Sequence, residues 1–325
     1  MKTYANVRKA VLLIPLLMAL SACAGSGDTP DGEGTVVIDM IVKMNRGDYW
    51  STIQMGAEVA AKEYNVTLNV LAPDNENDYK EQIQLMEESI TRRPDAIILA
   101  ASDYEALGQV TDRTSYYDIP VISMDSEVAS TKVKTYVGTN NYEAGQKAAE
   151  RLMNLTGGQG EVGIVNFVKG ARNADQREEG FMDYAARFPG VRIVDVQYCG
   201  SDEALAYRLT REMLLKFPDL TGLVSLSAES SIGAGRAVEE MGLGSKIKMI
   251  AFDNPPEMLE LLQEEAVQAM IVQNPFNNGY MAVAAAVKAA RGEHLEDKIP
   301  TDTKVIDLEN MLWPEHQKLL FPFVK

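Results

Sequence analysis

From residue 35 to about 273 the chain alternates strand-like apolar runs with helix-like amphipathic stretches, and it runs this alternation twice. Short connections between the segments leave one economical solution, parallel sheets with helices on both faces, so two series predict two α/β lobes. The first series predicts strands at 36–42, 66–71, 96–100, 119–124 and 133–138, with helices reaching from the 43–50 loop to 64, then at 78–93, 104–117 and 142–155. After the turn GGQG at 157–160 the second predicts strands at 161–167, 191–198, 221–226, 246–252 and 267–273. Its helices fall at 174–187, 202–216, 230–241 and 255–264. Asn274-Pro275 reads as an N-cap followed by proline at the first helical position, opening a helix that runs to Arg291. The tail holds one more expected strand near 303–308 and an extension with Trp313, Phe321 and Phe323.

The stretch IPVISMDSE at 119–127 carries the functional reading. It is a buried strand that ends in one carboxylate, Asp125, and open α/β sheets collect ligands just beyond the carboxyl ends of their strands. The acidic loop DNEND has Asp74, Glu76 and Asp78 at alternate positions, as in a calcium loop. The positions that need glycine and glutamate hold Tyr79 and Leu85, so no metal is expected there. Asp78 with Glu81 reads instead as a capping box.

The N-terminus is an export signal. Lys2, Arg8 and Lys9 precede an apolar run at 10–20, about half of the roughly 20 residues that a membrane span needs. The run ends in Leu20-Ser21-Ala22-Cys23, which resembles the bacterial lipobox, so residues 1–22 read as a signal peptide and Cys23 as the lipidated mature terminus. Residues 24–34, with four glycines and three acids, form the expected flexible tether. Removing the signal lowers the formal charge from −16 to −19. Such an acidic surface repels phosphate backbones, which excludes nucleic acid as a partner. Cys199 is left without a mate and is expected as a half-buried thiol at a strand end.

Across about residues 36–310 the chain resembles the periplasmic sugar-binding proteins of the ribose-binding, type I class, receptors of ABC sugar importers. The resemblance rests on PDAIIL at 94–99, IPVISMDS at 119–126, VGTNNYEAGQKAA at 137–149, QREEGF at 176–181, IAFDNPPE at 250–257 and IVQNPFNNGY at 271–280, in that order. It implies a Venus-flytrap arrangement of two doubly wound lobes, joined by a three-segment hinge near Thr139, Gln273 and Asp302, with the ligand in the cleft. The lobes would then be 35–139 with 274–301, and 140–273 with 302–325.

A sugar offers hydroxyls that both donate and accept, and an apolar face of C–H groups. The resemblance assigns Asp125 and Asp253 to paired hydroxyls, Arg177 to ring or hydroxyl oxygens, Gln273 to a hinge-side contact, and Tyr49 and Trp50 to stacking on the ring. The Arg177 fork is expected to serve a sugar and a carboxylate at once. Four polar positions of ribose binders are shortened or lost here, at Gly47, Ala100, Ser126 and Ser227, so ribose itself is not carried over. Arg46, Asp48, Asp103, Asn173 and Asn254 are candidates to fill the gap, and Ser227 and Phe252 are further possible contacts.

An enzyme is disfavoured. No GxGxxG follows the first strand, no P-loop or GxSxG motif is present, and the two histidines, His294 and His316, fall in a loop and the tail. A repressor of the same fold would carry a helix-turn-helix where this chain has its export signal. The expectation is a monomeric, extracytoplasmic lipoprotein with no cofactor that passes a sugar or polyol to ABC permease subunits. The alternative output is a sensor feeding a chemoreceptor or sensor kinase.

Overall fold

Apolar residues on both faces make the first sheet an interior layer. β1 (Val37–Ile41), β3 (Ala96–Leu99) and β4 (Val121–Met124) are short runs in which nearly every residue is buried. Successive side chains point to opposite faces. Ile38, Met40, Ile98 and Ile122 therefore pack under α1 (Asp48–Glu63) and α9 (Pro275–Ala290). Ile41, Ile97, Leu99 and Val121 meet α2 (Tyr79–Arg92) and α3 (Gly108–Arg113) on the other side. With β2 (Thr67–Leu71), β5 (Val133–Thr139) and β11 (Lys298–Thr301) the order is β11-β5-β4-β3-β1-β2, all parallel.

The structure is a computed structural model that describes Met1 and residues 35–321. The expected export signal, Cys23, the tether and Phe323 lie outside the described residues. Apart from Met1, everything described belongs to the unit that begins at Thr35.

The second sheet repeats the first. It contains β6 (Gln159–Asn166), β7 (Gly190–Tyr198), β8 (Leu220–Ser225), β9 (Lys248–Phe252), β10 (Ala269–Val272) and β12 (Lys304–Ile306), in the order β12-β10-β9-β8-β6-β7. Around it lie α4 (Asn141–Thr156), α5 (Arg172–Ala185), α6 (Glu203–Lys216), α7 (Ala228–Glu240), α8 (Pro256–Gln263) and α10 (Pro314–Leu320). One departure from the parallel pattern is β12, which runs antiparallel to β10. The chain passes between the sheets three times, from β5 to α4, from β10 to α9 and from β11 to β12.

Local chemistry explains the boundaries. Asn140 and Asn274 cap α4 and α9 by accepting from Glu143 N–H and Asn277 N–H, both at 3.2 Å, and Pro275 follows its cap as expected. Asp78 caps α2, but the Glu81 side chain turns to Asp74 N–H, which leaves the capping box half formed. The helix expected at 104–117 shrinks to α3 and a 3-10 turn over Thr114–Tyr117. Tyr104 N–H donates instead to Gly170 O, 2.8 Å away in the other lobe, so tertiary bonding overrides the local pattern. β11 was invisible in the sequence because it is four residues long and contains Pro300, tolerated only at a sheet edge. Cys199, just past β7, is fully buried rather than half-buried, and desolvation pushes its thiol up to about 12.

Two close helix crossings hold the site residues in place. A Cβ on Gly145 of α4 would stand 2.0 Å from Arg177 O in α5, and one on Gly56 of α1 would stand 2.0 Å from Phe276 O in α9. Only glycine permits such backbone contact, so α5, which carries Arg177 and Asn173, is seated directly on α4.

Candidate ligand site between the two lobes

Asp125 follows β4 and Asp253 follows β9, and the two are built alike. Each backbone N–H donates at 2.9 Å to the next strand of its sheet, Asp125 to Val137 O and Asp253 to Ile271 O. Each then leaves its strand in the left-handed region, with φ of +63° and +62°. Aspartate adopts that region more readily than most residues, because its short side chain bonds locally. Both carboxyls line one cavity of about 20 Å³, together with Tyr49, Trp50, Arg177 and Gln273.

The walls come from opposite lobes and bond to one another. Tyr49 Oη donates to Asp125 Oδ1 at 2.6 Å, and Asn173 Nδ2 of the second lobe donates to Asp125 Oδ2 at 2.9 Å. Lys43, fully buried just after β1, donates to Asn173 Oδ1 at 2.9 Å and pairs with Glu76 Oε1 at 3.1 Å and Asp125 Oδ2 at 3.8 Å. Ser201 Oγ of the second lobe donates to Glu76 Oε2 at 2.6 Å. A cavity of this size holds about one water. The groups that narrow it sit on different lobes, Tyr49 and Asp125 on one and Asn173 on the other.

Asp253 accepts from Gln273 Nε2 at 2.9 Å. Burial pushes its carboxyl up to about 6, against the opposing pull of Arg177, Gln273 and the Ala228 N–H. Burial, and next the negative charge of Asp125, likewise hold the Tyr49 phenol well above its usual 10, so it stays a donor. Arg177 is set differently from expectation. Its Nε donates to Asn141 Oδ1 at 2.9 Å and its Nη1 to Leu226 O at 2.7 Å, with the guanidinium lying over Phe252 and Phe167 at 4.7 and 5.6 Å. Among the described residues no carboxylate forms an ion pair with it, so the expected fork onto a carboxylate is not made.

The structure brings Tyr49, Trp50, Asp125, Arg177, Asp253 and Gln273 to the one cavity, and Asn173 and Ser227 with them. Phe252 lies beneath Arg177, fully buried, and does not line it. Asp48 and Asn254 line an adjoining cavity of about 340 Å³ under α10, where Asn254 Nδ2 donates to Leu319 O at 3.4 Å. Arg46 lines an outer groove and donates to Asn75 Oδ1 at 3.1 Å. Asp103 accepts from Ala106 N–H at 2.8 Å, away from the cavity. Sequence reasoning missed Lys43, Glu76 and Glu229; of these only Lys43, a cation at a strand end, carried a usable signal. Among the described residues no cluster of His, Cys, Asp and Glu could hold a metal ion, and no helix is long and apolar enough to cross a membrane.

A periplasmic binding protein domain matches residues 38–294. The chain is 26% identical over 306 residues to the ribose import binding protein of Haemophilus influenzae, covering 94% of this chain and 99% of that one. The crystal structure of a carbohydrate transporter solute binding protein from Agrobacterium radiobacter, in complex with D-arabinose, matches with a TM-score of 0.86 at 27% identity, over 89% of this chain and 100% of that one. A sugar transporter from Clostridium phytofermentans matches at 34% identity with a TM-score of 0.76, over 84% of this chain and 99% of that one.

Proposed function

The chain belongs to the periplasmic binding protein family, and from that premise we propose that it is a non-enzymatic receptor that closes its two lobes on a monosaccharide or similar polyol. One observation carries the reading: Asp125 and Asp253, from the strand ends of two different sheets, line one interlobe cavity with Tyr49, Arg177 and Gln273. Hydroxyls donate to the two carboxyls, Gln273 and the outer edge of Arg177 donate to hydroxyl or ring oxygens, and Tyr49 or Trp50 covers the C–H face. A guest that touches both lobes draws the population toward the closed form.

The lobes are residues 35–139 with 274–301 and 140–273 with 302–325. The mature protein is held at the outer face of the bacterial membrane by lipid on Cys23, acts as a monomer, and delivers its sugar to ABC permease subunits. A thermal-shift screen of the mature chain against pentoses, hexoses, cyclitols and disaccharides tests the core of this. Ligand at 100 times its Kd adds about 2.7 kcal/mol to stability. A monosaccharide or cyclitol that raises the midpoint for the wild type and not for Asp125→Asn supports the reading. Equal shifts in both chains, or none in either, refute it.

A further inference from the structure

Four carboxyls line the interlobe cavity, and three are held by other side chains. Asp125 accepts from Tyr49 and Asn173, Asp253 accepts from Gln273, and Glu76 is bonded to Lys43 and Ser201. The fourth, Glu229, stands two residues past the Ser227 cap of α7. Its own backbone N–H is the partner of its carboxyl among the described residues. An acid in a first helical turn ordinarily faces water and complements the helix dipole. Glu229 instead faces the other lobe: its Oε1 lies 3.0 Å from the point that a Cβ on Gly47 would occupy.

Gly47 is the N-cap of α1, with φ 87° and ψ 149°, a backbone setting that is essentially glycine-only, and it makes no side-chain cap bond. Bare backbone on one lobe thus meets a carboxyl reaching across from the other. The same carboxyl also lines the outer groove, so it stands where the cavity meets the cleft mouth.

We propose that Glu229 is a specificity-determining, ligand-contacting residue: its carboxyl hydrogen-bonds one hydroxyl of the bound sugar from the second lobe, in the space that a side chain at position 47 would otherwise fill. The inference rests on the receptor reading and adds to it a fixed stereochemical demand, a free hydroxyl on the edge of the sugar that faces the cleft mouth. Burial, followed by the charges of Glu76 and Asp253, pushes the Glu229 carboxyl up to about 8. Near neutral pH it therefore carries a proton and can both donate and accept, which matches a hydroxyl.

The test is calorimetry on the full mature chain with D-arabinose, D-ribose, D-allose, D-fucose and D-galactose, followed by the monodeoxy analogues of the tightest binder. Glu229→Ala should weaken the parent sugar about tenfold to a hundredfold. One monodeoxy analogue should bind the wild type equally weakly and lose nothing more in the variant, while the other analogues lose the full factor. Glu229→Met keeps the length without hydrogen bonding and gives the same test should the alanine variant fail to fold. An unchanged affinity for the parent sugar overturns the inference alone, as do losses that multiply independently at every ring position. Should the wild type bind none of the five, the tightest binder from the thermal-shift screen takes their place, and failure to bind any member of that screen overturns the receptor reading together with it.

Discussion

Replacing Asp253 with asparagine should move stability and affinity in opposite directions. Alanine is the poorer probe because φ at this position is +62°, a region that asparagine tolerates and alanine resists. Burial raises the folded-state carboxyl from 3.8 to about 6. The native chain therefore holds this proton more tightly than the unfolded chain does. Stability from that source is fully present below about pH 4 and is lost as pH rises through about 6. The loss amounts to on the order of 3 kcal/mol at most. Asparagine has no proton to lose and keeps an oxygen for the Gln273 amide, now 2.9 Å away. Relative to wild type, the variant should melt higher at pH 8 by on the order of 5 °C, taking about 2 °C per kcal/mol for a chain of this size, and should show no such gain at pH 4. Its affinity for the sugar should fall about tenfold to a hundredfold, because a charge-assisted bond is replaced by a neutral one. Differential scanning fluorimetry at both pH values and calorimetry at pH 8 read the two effects. The same melting difference at both pH values would refute the burial argument, and unchanged affinity would remove Asp253 from the site.

Two further substitutions probe the scaffold. Asn173→Ala removes the second-lobe group that bonds both Asp125 and Lys43, so the sugar-free chain should open, seen as a larger radius of gyration in small-angle scattering, with affinity down about tenfold; an unchanged radius and affinity would count against this contact as a clasp. Gly145→Ala would put a Cβ 2.0 Å from Arg177 O, so α5 must move away from α4. A cost of about 1–3 kcal/mol in chemical denaturation, accompanied by weaker sugar binding, is expected, whereas loss of stability with full affinity would show that α5 does not depend on this seat.

The central strands β1, β3, β4, β9 and β10 are legible because they are apolar on both faces, a pattern that few other contexts produce. Asp125 and Asp253 were legible for a related reason: an acid directly after such a run stands at the rim where ligands collect. The remaining carboxyls were hidden by their surroundings. Glu76 sits among solvated acids in DNEND, and only Ser201, 125 positions downstream, together with Lys43 takes it out of water. Glu229 has the signature of an ordinary helix-dipole acid until Gly47 is found opposite it. The QREEGF motif identifies Arg177 but not its bonds, because Leu226 O and Asn141 are supplied by folding and carry no motif. The tail was read poorly because α10 is only seven residues long, too short for its periodicity to stand out, and is placed by Leu320 in the second core.

The glycine seats at positions 56 and 145 leave the helix pairs of each lobe no clearance for sliding. On the receptor reading, each of these pairs should therefore travel as a unit when the lobes part, with the backbone torsion expected in the three short passages between the sheets. Substitutions that only re-aim a rim side chain should then change the choice of ligand without retuning the motion.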